Sequence, residues 1–161
     1  MLEIICNTSP LQYLHQLGRL EILHHLAGTL VVPTAVAAEL AEGRQRGVDV
    51  PDPGVLPWIT LREPRSQAVL PLMIELGPGE TAVLALALES QDAVTILDDG
   101  LARRHAQRLG LRFTGTLGLL LDAKRAGHIE AVAPLLDTLH VLRFRLDPTT
   151  RLAVLRMAGE F

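Results

Sequence analysis

The sequence predicts an α/β chain: a three-layer α/β/α sandwich with a central parallel sheet. Three observations carry that expectation. Short β-rich runs alternate with helical runs of ten or so residues, the spacing of βαβ crossovers. The first strand-like run, residues 2–6, reads as a fully buried strand, as in a sheet covered on both faces. The chain has 161 residues, and at roughly 150 residues per domain that predicts a single domain over 1–161.

Each element follows in order. Residues 2–6 read as a buried strand, stopped by Asn7, Thr8, Ser9 and Pro10. Ser9 is the expected N-cap of the next helix, with Pro10 at its first position. Leu11, Leu14 and Leu17 form one helical stripe, and Leu20, Leu23 and Leu26 form a second after Gly18. A strand at 29–32 leads through Pro33 into a helix over 34–42. Residues 43–57 hold Gly43, Gly47, Pro51, Pro53, Gly54 and Pro57, and so long a connection predicts a functional or mobile loop or lid. A strand near 58–61 and a helix near 67–75 come next. Gly77-Pro78-Gly79 then breaks the chain before a strongly apolar helix over 80–89. The remainder reads as a strand at 93–97, a helix over 101–109, a strand at 112–114 and helices over 117–125 and 129–136. A strand at 138–142 and a closing helix from about 148 complete the pattern.

Composition narrows the function. The chain is 48% apolar and 20% charged, with 15 basic against 18 acidic side chains and a net charge of −3. Its mean hydropathy of +0.28 excludes a disordered tail. The small net charge gives no global attraction for nucleic acid, so such binding needs a local patch. Aromatics make up 3%, too few for a stacking platform along a single strand. A lone cysteine, Cys6, excludes a disulfide within the monomer and suits a reducing cytoplasm. It reads as a small core residue. The start lacks a basic n-region, and no window approaches the roughly 18 apolar residues of a spanning helix. A soluble, cytoplasmic protein without a membrane partner is expected. His24 and His25 are adjacent on a helix, about 100° apart, which is no metal pair. The leucine stripes are core or dimer contact.

In open parallel sheets ligands bind beyond the carboxyl ends of the strands, near a topological switch point. The residues there are Asn7-Thr8-Ser9, Asp98-Asp99-Gly100 and Gly115-Thr116. Glu80 joins them by helix geometry. With Val83 at zero and about 100° per residue, Glu80 falls near 60°, within the apolar arc, and Glu89 near 240°, opposite it. An inward carboxylate costs several kcal/mol unless a metal or hydrogen-bond donors compensate it. Glu39 flanks the Val36–Leu40 stripe among small alanines that allow close approach. Several carboxylates with Asn7 form a hard, oxygen-only set suited to Mg²⁺ or Mn²⁺ rather than zinc. Such an ion can acidify an attacking water and stabilise a leaving oxygen, so phosphodiester hydrolysis is the favoured reaction.

Each residue also has a plainer reading. Asp98 or Asp99 could cap the helix near Leu101. Glu80 could complement a helix dipole, Glu39 could be solvated, and Asn7 could turn onto its own backbone. In the basic run Arg103, Arg104, Arg108 and Arg112, Arg103 is the one placed to bridge the carboxylates or touch phosphate.

Five stretches in order carry a resemblance. They are Ile4-Ile5-Cys6-Asn7-Thr8-Ser9-Pro10-Leu11, Val32-Pro33-Thr34-Ala35-Val36-Ala37-Ala38-Glu39-Leu40 and Gly77-Pro78-Gly79-Glu80-Thr81-Ala82. Leu97-Asp98-Asp99 with Ala102-Arg103 follows, then Gly115-Thr116-Leu117-Gly118. From Ile4 to about Gly159 the sequence resembles the PIN-domain family, metal-dependent ribonucleases that include the toxins of bacterial and archaeal toxin–antitoxin pairs. It looks most like a subgroup with Asn-Thr-Ser-Pro and Asp-Asp-x-x-Ala-Arg signatures. The resemblance implies a PIN-like, Rossmann-like sandwich whose metal-site carboxylates are Glu39, Glu80 and Asp98, with Asp99 as a fourth. Which of the adjacent aspartates faces the metal stays open. Thr8 or Ser9 would orient the first loop, and Thr116 would line the pocket rim. Most PIN nucleases carry aspartate where this chain has Asn7, whose neutral carbonyl implies weaker metal binding.

The expected function is a Mg²⁺/Mn²⁺-dependent endoribonuclease acting on RNA. By the same analogy it is a toxin, a homodimer, and held in check by a small antitoxin protein. The alternative is a catalytically weakened nucleic-acid-binding or regulatory module on the same fold. A phosphoacceptor receiver domain is set aside. Asn7, not paired aspartates, follows the first strand, and the only lysine, Lys124, lies inside a helix.

Overall fold

The computed structural model describes residues 2–66 and 75–161. Its sheet is all-parallel, in the order β3-β2-β1-β4-β5, from β1 (Glu3–Cys6), β2 (Leu30–Pro33), β3 (Ile59–Arg62), β4 (Ala93–Ile96) and β5 (Arg112–Thr114). Among the described residues eight helices flank it. They are α1 (Thr8–Gln16), α2 (Glu21–Ala27), α3 (Thr34–Gln45), α4 (Pro78–Glu89), α5 (Gly100–Arg108), α6 (Thr116–Arg125), α7 (Ala133–Val141) and α8 (Pro148–Met157). The result is the α/β/α sandwich that the alternation predicts.

The register explains where a site can form. Ile5 pairs with Val31 of β2 on one side and Thr95 of β4 on the other, so β1 is the central strand. The chain winds outward through β2 and β3, then crosses β1 to continue through β4 and β5. The switch point therefore lies between β1 and β4, where Asn7 and Asp98 emerge. Ile5, Cys6, Leu30 to Val32 and Ile96 are buried, as expected of strands covered on both faces. Truncating one of the fully buried leucines, such as Leu84, to alanine should cost about 2–5 kcal/mol.

Helix α4 packs on β1, β2, β4 and α3, and every residue from Thr81 to Ala87 is buried. A single inward arc therefore does not single out Glu80. Its position does, because the first turn of α4 opens onto the strand ends.

Several expectations are corrected. Residues 138–142 are not a strand, and the helix expected at 129–136 is instead α7, running to Val141. The β-branched content of Thr138-Leu139-His140-Val141 suggested a strand, but burial follows helical spacing. Leu136 and Leu139 are fully buried, whereas Val141 is 78% exposed. Helix α1 begins at Thr8 with Asn7, not Ser9, at the N-cap. Residues 43–57 are no lid. Helix α3 continues to Gln45, and Val50, Pro51 and Pro53 are buried around a 3₁₀ turn at Pro53–Val55. Arg44 Nη1 ties the segment to the Pro51 carbonyl at 2.7 Å, and Gln16 Nε2 ties it to the Asp49 carbonyl at 2.9 Å. It feeds the start of β3, at the end of the sheet away from Asn7. The expected helix near 67–75 falls on residues that, except for Glu75, lie outside the described ones. No described helix is long and apolar enough to cross a membrane.

The C-terminal tail closes the far side. The Glu160 carboxylate accepts from Lys124 Nζ at 2.8 Å and from the amides of Val132 and Ala133 at 2.7 and 2.9 Å. It thereby caps α7, whose own N-cap residue, Val132, has no side-chain acceptor.

Candidate active site

The first corner is built on β1, α3 and α4. Asn7 follows β1 and is 4% exposed. Asparagine is among the best N-caps, yet its side chain makes no cap bond to α1. Its Oδ1 is buried without any hydrogen-bond partner, a state that costs about 1–3 kcal/mol. That oxygen points instead toward Gly79 at the start of α4, where a Cβ would lie 3.2 Å from it. The same Cβ would collide with Glu39 Oε1. Only glycine at 79 lets the Glu39 carboxylate lie against α4 beside Asn7. Thr8 Oγ1 donates to Glu39 Oε1 at 2.7 Å and fixes its orientation.

The second corner is built on β4, β5 and α6. Asp98 accepts from the Thr116 amide at 2.8 Å and from Thr116 Oγ1 at 2.7 Å, so both carboxylate oxygens are held. Thr116 is fully buried and sits beneath Asp98 rather than at a pocket rim. Gly115 has no Cβ because Asp98 Oδ1 would stand 2.7 Å from one. Arg103 Nε donates to the Leu97 carbonyl at 2.7 Å, and its guanidinium lies 5.2 Å from the Phe113 ring centre. Asp99 caps α5 by accepting from the Ala102 amide at 2.9 Å. The two aspartates thus divide: Asp98 is anchored by the fold, and Asp99 leans toward solvent.

Asp98 of the second corner opens onto a cavity of about 340 Å³ whose lining also includes Ser9, Glu80 and Asp99. Burial pushes the Glu80 carboxyl up, the Asp99 and Glu39 carboxylates push it further, and the Gly77 backbone opposes them. Burial also raises Asp98, against the two Thr116 bonds and the Arg103 charge. Burial likewise raises the Cys6 thiol, with the Asp98 charge adding to it. Acidic groups are therefore held where their ionised forms lack compensation, as sites for a cation do.

The structure brings Asn7, Thr8 and Glu39 together at one corner and Asp98, Arg103 and Thr116 at the other. Glu80, Asp99 and Ser9 line the cavity beside Asp98, and Glu80 stands near enough to both groups for the Asp99 and Glu39 charges to act on it. Sequence reading missed Gly79, Tyr13, Phe113, Phe144 and Arg145. Gly79 was signalled by the glycines beside Glu80. Phe144 and Arg145 were hidden by the mistaken strand at 138–142, although an aromatic beside a basic residue is conspicuous in so aromatic-poor a chain.

The donor set fits a hard divalent cation in kind. Among the described residues no three His, Cys, Asp or Glu side chains stand close enough to hold a metal by themselves. Mg²⁺ usually takes one or two carboxylates and keeps several waters. Glu39 with the unpartnered Asn7 Oδ1, and with Glu80 near enough for its charge to be felt, would meet that need. The orphaned amide oxygen is consistent with that fit, since no hydrogen-bond donor among the described residues uses it.

A family model described as PIN domain matches residues 3–160. Comparison with curated proteins and with solved structures found no match. With the match spanning nearly the whole chain, and a five-stranded parallel sheet between helices beneath it, the chain belongs to the PIN-domain family.

Proposed function

We propose that the protein is a Mg²⁺/Mn²⁺-dependent endoribonuclease that hydrolyses RNA phosphodiesters, the toxin of a toxin–antitoxin pair with a small antitoxin protein as partner. The observation that carries this reading is the buried, unpartnered Asn7 Oδ1 beside the Glu39 carboxylate. Asn7, Glu39, Glu80, Asp98 and Asp99 would hold the ion. When bound, the ion would supply charge neutralisation and an acidified water for attack on phosphorus. The chain's own residues do the rest. Thr8 orients Glu39, and Thr116 fixes Asp98. Glu80, half-buried beside the Asp99 and Glu39 charges, adds negative charge that the ion would neutralise. Arg103 brings positive charge to the rim where a phosphate would lie. Homodimer formation belongs to the same proposal, by family analogy.

A chelator-sensitive cleavage assay on a structured RNA tests it. Wild-type protein should cut in millimolar Mn²⁺, stop in EDTA, and lose about a hundredfold in rate as Asp98→Asn. A folded wild type that leaves RNA intact at millimolar Mn²⁺ sinks the proposal. The second reading is a weakened nucleic-acid-binding or regulatory module. It is favoured by the neutral Asn7 and by the lack of a three-carboxylate nest among the described residues. It predicts RNA binding that Asp98→Asn does not alter, without cleavage.

A further inference from the structure

A second cavity of about 360 Å³ lies beside the acidic one and shares Asp98, Phe144 and Arg145 with it. Its other wall is Arg103 stacked on Phe113, at the edge strand β5. The chain has 3 Phe, 1 Tyr and 1 Trp, and three of these five rings, Tyr13, Phe113 and Phe144, line these two hollows. Tyr13 holds Phe144 edge-on, ring centres 5.0 Å apart. Phe113 is 36% exposed, with the Arg103 guanidinium over its ring, so a base would stack on the side that Arg103 leaves free.

The segment that delivers Phe144 and Arg145 is strained. Helix α7 ends with the Phe144 amide bonding to the Leu139 carbonyl and the Arg143 amide to the His140 carbonyl. This is a Schellman end, whose left-handed position glycine usually fills. Here Arg143 takes it, with φ 66°, the one non-glycine at positive φ among the described residues. Arg143 and Arg145 are exposed and form no ion pair among the described residues, and neither do Arg104 and Arg108 on α5. An anionic strand reaching Glu80, Asp98 and Asp99 is repelled unless cations hold it nearby, and Arg145, which lines both cavities, is placed to do so.

We propose that the Arg103–Phe113–Phe144–Arg145 cavity is a nucleotide subsite for single-stranded RNA, stacking the base next to the reacting phosphate and holding its phosphate through Arg145. It deepens the nuclease reading and rests on it for the identity of that reacting phosphate. Stacking on an exposed ring is sequence-tolerant, whereas the guanidinium contact is salt-sensitive. A double-stranded RNA cannot present a splayed base to the cavity, so single strands or loops are the class selected.

The test is fluorescence anisotropy of a short, fluorescein-labelled, single-stranded RNA with the full chain in EDTA, where no cleavage occurs. Arg145→Ala should weaken binding about tenfold and reduce the slope of log affinity against log salt by about 0.7. Phe113→Leu should weaken binding about tenfold with the slope unchanged. Unchanged affinity and slope in Arg145→Ala overturn the subsite, as does a wild type that fails to bind this RNA at low salt. A wild type that binds through Arg145 yet never cleaves in Mn²⁺ leaves the subsite standing and removes the nuclease reading instead.

Discussion

Two groups of carboxylates in this molecule live under opposite conditions. Glu160 in the C-terminal tail is 14% exposed and surrounded by donors: the Lys124 ammonium and two backbone amides. Burial raises its carboxyl, but those partners outweigh burial and bring it down to about 2. Asp98, at the end of β4, and Glu80, on the first turn of α4, are raised, because burial there outweighs the Thr116 bonds and Arg103 charge on one and the Gly77 backbone on the other. The tail carboxylate serves the fold and is complete without a ligand. The site carboxylates stay raised and Asn7 Oδ1 has no partner among the described residues, as the proposed cation site would require.

The sharpest way to break this contrast is Gly79→Ala. The added methyl occupies the place of the Glu39 carboxylate, a flexible group that can swing aside. Alanine also favours the helix over glycine by up to about 1 kcal/mol. Mn²⁺-dependent cleavage should therefore fall about 10–100-fold while the melting temperature holds or rises. A stable variant with full activity would remove Glu39 from the site.

Glu160→Ala probes the other side. It leaves a lysine and two amides unpaired, and thermal unfolding should show a loss of about 2 kcal/mol, or about 4–8 °C. Cleavage by the folded fraction should not change. If the site is damaged as well, the two regions are coupled and the contrast fails.

Acid should separate them by sign. A depressed carboxyl releases its proton more readily in the folded state, so its stabilisation is present above the unfolded value of 4.5. That contribution is lost as pH falls from 4.5 toward 2. Chemical denaturation across that range should show the loss in the wild type and not in Glu160→Gln.

The smallest effect concerns Glu80. A raised carboxyl binds its proton more tightly when folded, so its contribution to stability declines as pH rises above the ordinary carboxylate range. In EDTA, Glu80→Gln should therefore raise the melting temperature slightly at neutral pH, with the gain vanishing near pH 4. A lowered melting temperature at neutral pH would show that the Glu80 charge is already compensated.

Sequence and structure divide the account along physical lines. The central strands β1, β2 and β4 were readable because buried parallel strands need apolar runs, and the polar residues that follow β1 and β4, Asn7 and Asp98, fell where the switch point lies. The helix over 133–141 was not readable as one. A short run rich in β-branched residues is ambiguous until burial selects the helical spacing of Leu136 and Leu139.

What the sequence determined by itself was the layer order and the supply of strand-end carboxylates, since both follow from local pattern and the polarity of each side chain. Tertiary structure alone decided that Asp98 is anchored while Asp99 caps a helix. It also decided that Gly79 clears room for Glu39, and that Tyr13, Phe113, Phe144 and Arg145 gather beside them. Those outcomes depend on approach distances between elements far apart in the chain, which no local pattern encodes.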